Sequence, residues 1–287
     1  NCPYEPDGGV RRRATLVNQI RAASPSMLLV DAGAFFAGGP KDEYSLNIPL
    51  DEERTRLQVK AMSMMGYDAA ALGVEEFFFG REFLKKVTAD AQFPLVACNG
   101  HDQDIKPFVI RQAGTIKVGI TGVTPPLAGQ KSGGIVFDPP EAAVAATVAE
   151  LRKRGVDLVI LLSQLGEQED LKLIRAVEGI DLVVEGNGRS TEEAIVREGR
   201  SVLLRCSWEG RKLGKAQLFF NQKKLVDVKV EEVRLSDKIA DDKQVQAMLP
   251  ACFSDKNCKK DGVIGLCQEP GSALAQCRFP DPVKVPL

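Results

Sequence analysis

The sequence predicts an α/β protein in which two sheets pack together with helices outside. Three observations predict it. Short continuous apolar runs at 27–30, 158–162 and 182–184 have the length and composition of strands buried on both faces. Longer segments with helical spacing alternate with them. From Ala194 the apolar period changes to two, through 202–204, 216–220 and 226–230, which reads as a β-meander. With 287 residues, 44% hydrophobic and 27% charged, the chain is long enough to bury such a core.

The elements follow in order. Val10, Ala14, Leu16, Val17 and Ile20 fall near one face of a first helix, and Arg11, Arg12 and Arg13 take the other. The strand at 27–30 ends in Asp31, Ala32 and Gly33, a loop of the kind on which α/β proteins mount their sites. A helix at 52–65, a strand at 69–72, a helix at 81–89 and a strand at 93–97 come next. Residues 108–111 and 117–121 form a hairpin through Gly114. Asp138, Pro139 and Pro140 cap a helix at 141–154. A helix at 170–177 separates the strands at 158–162 and 182–184. A boundary near Ser236, Asp237 and Lys238 divides the chain into 1–235 and 236–287. A helix at 241–248 then leads into a cysteine-rich tail.

Charge and cysteine usage exclude some functions. A net charge of −1 supplies no field that would draw in nucleic acid or an anionic membrane surface. No run of eighteen apolar residues predicts a membrane span. Residues 1–4 lack the basic and apolar regions of a signal peptide, so the expectation is either a cytosolic protein or one whose signal has been removed. Of seven cysteines, Cys252, Cys258, Cys267 and Cys277 crowd into a segment poor in large apolar residues. Together with Cys2 they are the disulfide candidates, which favours an oxidising compartment, periplasmic or extracellular. Their spacing and the lack of nearby histidine argue against zinc. A thiol redox role for the same cluster lacks a Cys-x-x-Cys. Cys98, ending an apolar run, reads as a small buried hydrophobe.

Several segments carry a resemblance. Residues 73–78, Gly-Val-Glu-Glu-Phe-Phe, resemble the Gly-Asn-His-Glu-Phe-Asp loop of the 5′-nucleotidase-like metallophosphatases. Residues 28–34 resemble Leu-Leu-Asp-Ala-Gly-Asp, residues 161–166 resemble Leu-Ser-His-Leu-Gly, and residues 183–189 resemble a strand ending in Gly-His-x-His. Gly8 to Arg12, 93–99 and 117–124 add matches without chemistry. The resemblance runs in order from Gly8 to about Leu235, and the family's opening Asp-x-His strand has no counterpart within these residues. It implies a four-layer αββα sandwich of the metallophosphatase type.

The same resemblance implies that the chemistry has been lost. The metal-binding Asn falls on Val74, the catalytic His on Glu75 and an Asp on Phe78. The carboxylate bridging the metals falls on Ala34, and histidines fall on Gln164, Asn187 and Arg189. A two-metal site holds its ions about 3.5–4 Å apart, so without its bridging carboxylate their repulsion is uncompensated. His101 is the single histidine of the chain and reads as a solvated loop residue. The expectation is therefore a non-catalytic binding or scaffolding subunit without a cofactor. Its closest resemblance, to bacterial members often encoded near multihaem cytochromes, implies a protein partner in electron transfer.

Two alternatives stay open. Glu75, Glu185 and Asn187, with Gln164 beside them, could form an oxygen-ligand site for Ca²⁺ and restore a metal-dependent phosphoesterase. Conversely, Glu75 and Arg189 could pair where the metals once sat. Phe78 is expected either to be exposed or to fill the emptied pocket. Ser163 lacks a histidine base, and no glycine pattern forms a nucleotide loop.

Overall fold

The computed structural model describes residues 7–38, 48–127, 132–187, 194–206, 210–250, 258–260, 263–264, 266–268 and 275–278. Its first sheet is parallel: β1 (Val30–Asp31), β2 (Ala69–Ala71), β3 (Leu95–Val96) and β4 (Ile105–Lys106), adjacent in that order. The second sheet is mixed. It is ordered β5 (Phe108–Ala113), β6 (Ile116–Val123), β7 (Leu158–Ser163), β8 (Leu182–Glu185), β10 (Ser201–Arg205), β9 (Ile195–Glu198). The helices are α1 (Val10–Ala23), α2 (Ile48–Met65), α3 (Arg81–Thr88), α4 (Pro140–Lys153), α5 (Glu167–Ala176) and α6 (Lys243–Met248).

Three apolar layers explain the stacking. Val17, Met62, Met65, Phe83 and Val245 pack α1, α2, α3 and α6 onto one face of the first sheet. Ala69, Ala71, Val96, Ile120, Leu158 and Leu162 meet between the sheets. Val144, Val148, Leu151, Leu173 and Ile174 pack α4 and α5 onto the outer face of the second. Every residue of β7 and of β10 is buried, as strands covered on both faces require. The result is the expected sandwich, helix, sheet, sheet, helix.

The sheets approach most closely at Gly122 of β6. A Cβ there would lie 2.2 Å from the Val96 carbonyl oxygen. Asn99 ties the same region together: its Nδ2 donates to the Thr124 and Asp138 carbonyls at 2.7 and 2.9 Å, and its Oδ1 accepts from the Thr124 N–H. Thr124 Oγ1 in turn donates to the Leu72 carbonyl at 2.7 Å.

Two sequence expectations need correction. The part after Ala194 is not one meander, because β10 is fully buried and pairs in parallel with β8, leaving β11 (Lys212–Asn221) and β12 (Lys224–Arg234) as a separate hairpin. Nor does Asp138 cap α4: the helix opens with Pro140 at its first turn and no side-chain cap, while Asp138 pairs with His101 at 2.7 Å. In the tail, β15 (Leu266–Gln268) pairs with β16 (Gln276–Arg278), and Cys258 is disulfide-bonded to Cys277. Cys267 is also disulfide-bonded. Cys2 and Cys252 lie outside the described residues.

Candidate active site

The site loops leave the ends of β1, β2, β7 and β8, on the edge to which parallel strands deliver their C-termini. Gln164 is at its centre. Its side chain, 5% exposed, reaches across from the end of β7 and donates through Nε2 to the Ala32 carbonyl after β1. Glycines from three other loops surround the carboxamide. Cβ atoms at Gly33, Gly73 and Gly186 would lie 2.7, 2.8 and 2.2 Å from its terminal atoms.

Glu76 fixes two of those loops. Its fully buried carboxylate accepts from the backbone N–H groups of Phe35 (2.7 Å), Phe36 (3.2 Å), Ala34 (3.1 Å) and Gly73 (2.6 Å). Burial pushes its carboxyl up to about 7 against those donors, with neighbouring Glu75 adding to the rise. These bonds hold Ala34 at φ +62°, a left-handed conformation that Asp, Asn and Gly tolerate better than Ala.

The other expected positions are partly brought together. Ala34, half-buried Glu75, buried Glu185 and exposed Asn187 line one cavity. Val74 is exposed, and so is Phe78 at 45%, its ring edge-on to Phe79 with centroids 4.9 Å apart. Phe78 is therefore the exposed residue rather than the filler of the pocket, which falls to Gln164. Arg189 lies outside the described residues. Phe35, Phe36 and Phe77 belong to the core.

A buried charged cluster behind the site was missed. Arg205, at the end of β10, lies opposite Glu185 in the β8 register and pairs with it at 3.3 Å and with Glu167 at 3.3 Å. The Arg205 and Glu185 side chains are 4% and 1% exposed. Close by, Ser163 Oγ donates to Asp170 Oδ1, whereas Asp170 Oδ2 has no hydrogen-bond partner among the described residues. Burial pushes the Asp170 carboxyl up to about 7; Ser163 and Arg205 oppose the rise, and Glu185 adds to it. The available signal was a charged residue ending each of two apolar strand runs, Val183-Val184-Glu185 and Leu203-Leu204-Arg205.

Among the described residues no group of three or more His, Cys, Asp or Glu side chains is placed to hold a metal ion. The donor set fits a two-metal centre poorly: Ala34, Val74 and Phe78 offer no side-chain donor, and the Gln164 amide is committed to the backbone. His101, exposed and paired with Asp138, does not line this cavity.

No family model matches the chain. A trifunctional nucleotide phosphoesterase, YfkN of Bacillus subtilis, is 28% identical over 286 residues, covering 83% of this chain and 18% of that protein. The venom 5′-nucleotidase of Gloydius brevicauda is 31% identical over 277 residues, covering 84% of this chain and 45% of its own length. The chain thus spans less than half the length of these curated relatives. Among solved structures, a 5′-nucleotidase precursor from Thermus thermophilus superposes with a TM-score of 0.71 at 24% identity, covering 85% of this chain and 52% of that one. The structure of YfkN gives 0.65 at 22%, covering 84% and 87%. At these identities the structures show the fold. Sequence relatives and solved structures together support the 5′-nucleotidase, calcineurin-like metallophosphatase family for this chain.

Proposed function

We propose that these residues form a metallophosphatase-fold domain whose metal centre has degenerated, serving as an extracytoplasmic binding or scaffolding subunit. The carrying observation is Gln164, whose carboxamide fills the space among Gly33, Gly73 and Gly186 and bonds to Ala32. Ala34, held at φ +62° where the resemblance has an aspartate, supports the same reading. The Cys258–Cys277 disulfide and the venom origin of a relative support a periplasmic or extracellular location. No described helix is long and apolar enough to cross a membrane. The protein partner, a multihaem cytochrome, rests on the resemblance alone.

The names of the relatives favour a second reading over the first: a metal-dependent phosphoesterase or 5′-nucleotidase. Its residues would be Glu75, Glu185 and Asn187, which share a cavity and supply oxygen donors suited to a hard cation such as Ca²⁺. Glu185 would first have to leave Arg205, 3.3 Å away, and that pairing weighs against it.

Hydrolysis of AMP, with Mn²⁺ or Ca²⁺ supplied, separates the two. The first reading predicts no release of phosphate above that from a Glu75→Ala, Glu185→Gln variant. Release by the natural chain that the double variant abolishes would establish the second.

A further inference from the structure

Gln164 opens the three-residue connection, 164–166, between β7 and α5, and both ends of that connection are pinned. At its start, Ser163 Oγ donates to Asp170 Oδ1 of α5 and accepts from the Leu165 N–H at 3.1 Å. Just past its end, Glu167 begins α5 and pairs with Arg205 at 3.3 Å. On the other side of the carboxamide stands Gly186, where a side chain would collide with Gln164 Nε2 and whose N–H donates to the Ser163 carbonyl at 2.8 Å. The residue before it, Glu185, is the second partner of Arg205, also at 3.3 Å. Ser163, Glu185 and Arg205 form one row across the adjacent ends of β7, β8 and β10. The guanidinium thus bridges the two segments between which the Gln164 side chain leaves the sheet.

We infer that Arg205 is a positioning residue for Gln164: by holding Glu167 and Glu185 together, it clamps the β7–α5 connection against the end of β8 and keeps the carboxamide in the cleft. A guanidinium suits the task. Its planar fork addresses two carboxylates at once, which the single point charge of a lysine does not. Its pair with Glu185, 4% and 1% exposed, is little screened by salt. Losing Arg205 would leave the Glu185 carboxylate buried without its counter-charge, so the two segments would part to let water reach it. Gln164 would then lose one wall of its seat, although its bond to the Ala32 carbonyl lies on the other sheet. A ligand entering among Gly33, Gly73 and Gly186 has to displace Gln164 and works against this clamp. The role rests on the filled site proposed above and names what holds it shut.

Hydrogen exchange at Gly33 and Gly73 tests it. Both glycines lie against the carboxamide on loops of the first sheet, and their amides are bonded to Asp31 at 2.9 Å and to Glu76 at 2.6 Å. Gln164→Ala should speed exchange of both amides at least about tenfold, and Arg205→Met should do the same. In the double variant Arg205→Met should add less than about twofold to the effect of Gln164→Ala, because the clamp then has nothing to hold. Native rates at both glycines in Arg205→Met overturn the inference. So do effects that multiply in the double variant, which would make Arg205 a general stabiliser of the fold. Native rates in Gln164→Ala would overturn the filled site itself. Where Arg205→Met fails to fold, the chain carrying Glu167→Gln, Glu185→Gln and Arg205→Met leaves no buried charge unpaired in this cluster, and the same expected and contrary results apply to it.

Discussion

At the scale of single residues, Gln164 and Glu76 tie the loops of the site to one another. Ala34 keeps a left-handed backbone because Glu76 fixes the N–H groups on either side of that turn. Ala34→Gly removes the Cβ conflict and should raise the unfolding free energy by about 1 kcal/mol, read from urea midpoints at constant slope. A lower midpoint would show that the turn is not strained. Asp170 gives a pH signature. Its folded pKa of about 7 exceeds the ordinary 3.8, so its contribution to stability is complete below about pH 4 and is lost as pH rises through 7. Stability should therefore fall across that window, and Asp170→Asn should flatten that part of the profile. An unchanged slope would place the ionisation elsewhere. Among thiols, Cys98 is pushed up to about 11 by burial, so it should react with a thiol reagent much more slowly than Cys206, which lines the cavity.

At the scale of elements, the strongest constraint is the crossing of β6 over β3. Because the atom nearest a Cβ at Gly122 is backbone, the Val96 carbonyl, no side chain can rotate to make room. Gly122→Ala should cost about 2–4 kcal/mol, whereas ordinary overpacking costs about 1–3 kcal/mol; a loss within 0.5 kcal/mol would mean that the sheets separate freely. Most elements were legible because their signal is local: apolar runs for β7 and β8, helical spacing for α1 and α2. The parallel β8–β10 pair was not, since Val202, Leu203 and Leu204 pack on both faces and the strand joins a sheet begun much earlier in the chain. The loop motifs located Glu75 and Gln164. They could not reveal Arg205 as the counter-charge of Glu185, because that pair exists only once β10 lies in register beside β8.

At the scale of the whole molecule, we propose residues 236–287 as an appended segment, anchored through α6, whose Val245 is buried in the helical layer of the first sheet. Beyond it Cys258 and Ala275 form their own small cluster with Cys267 and Cys277. A disulfide closing a loop of this size stabilises by about 3 kcal/mol in the chain-entropy account. Reduction should thus abolish amide protection in 266–268 and 276–278 and leave the thermal midpoint of the sandwich unchanged. A lower midpoint would make the tail part of the main fold.

We propose that the metallophosphatase frame persists around a filled site. Elemental mass spectrometry of protein purified from its own source, read as metal per chain, tests it most directly. The account predicts no stoichiometric transition metal or calcium. About two ions per chain would contradict it and establish a rebuilt two-metal centre.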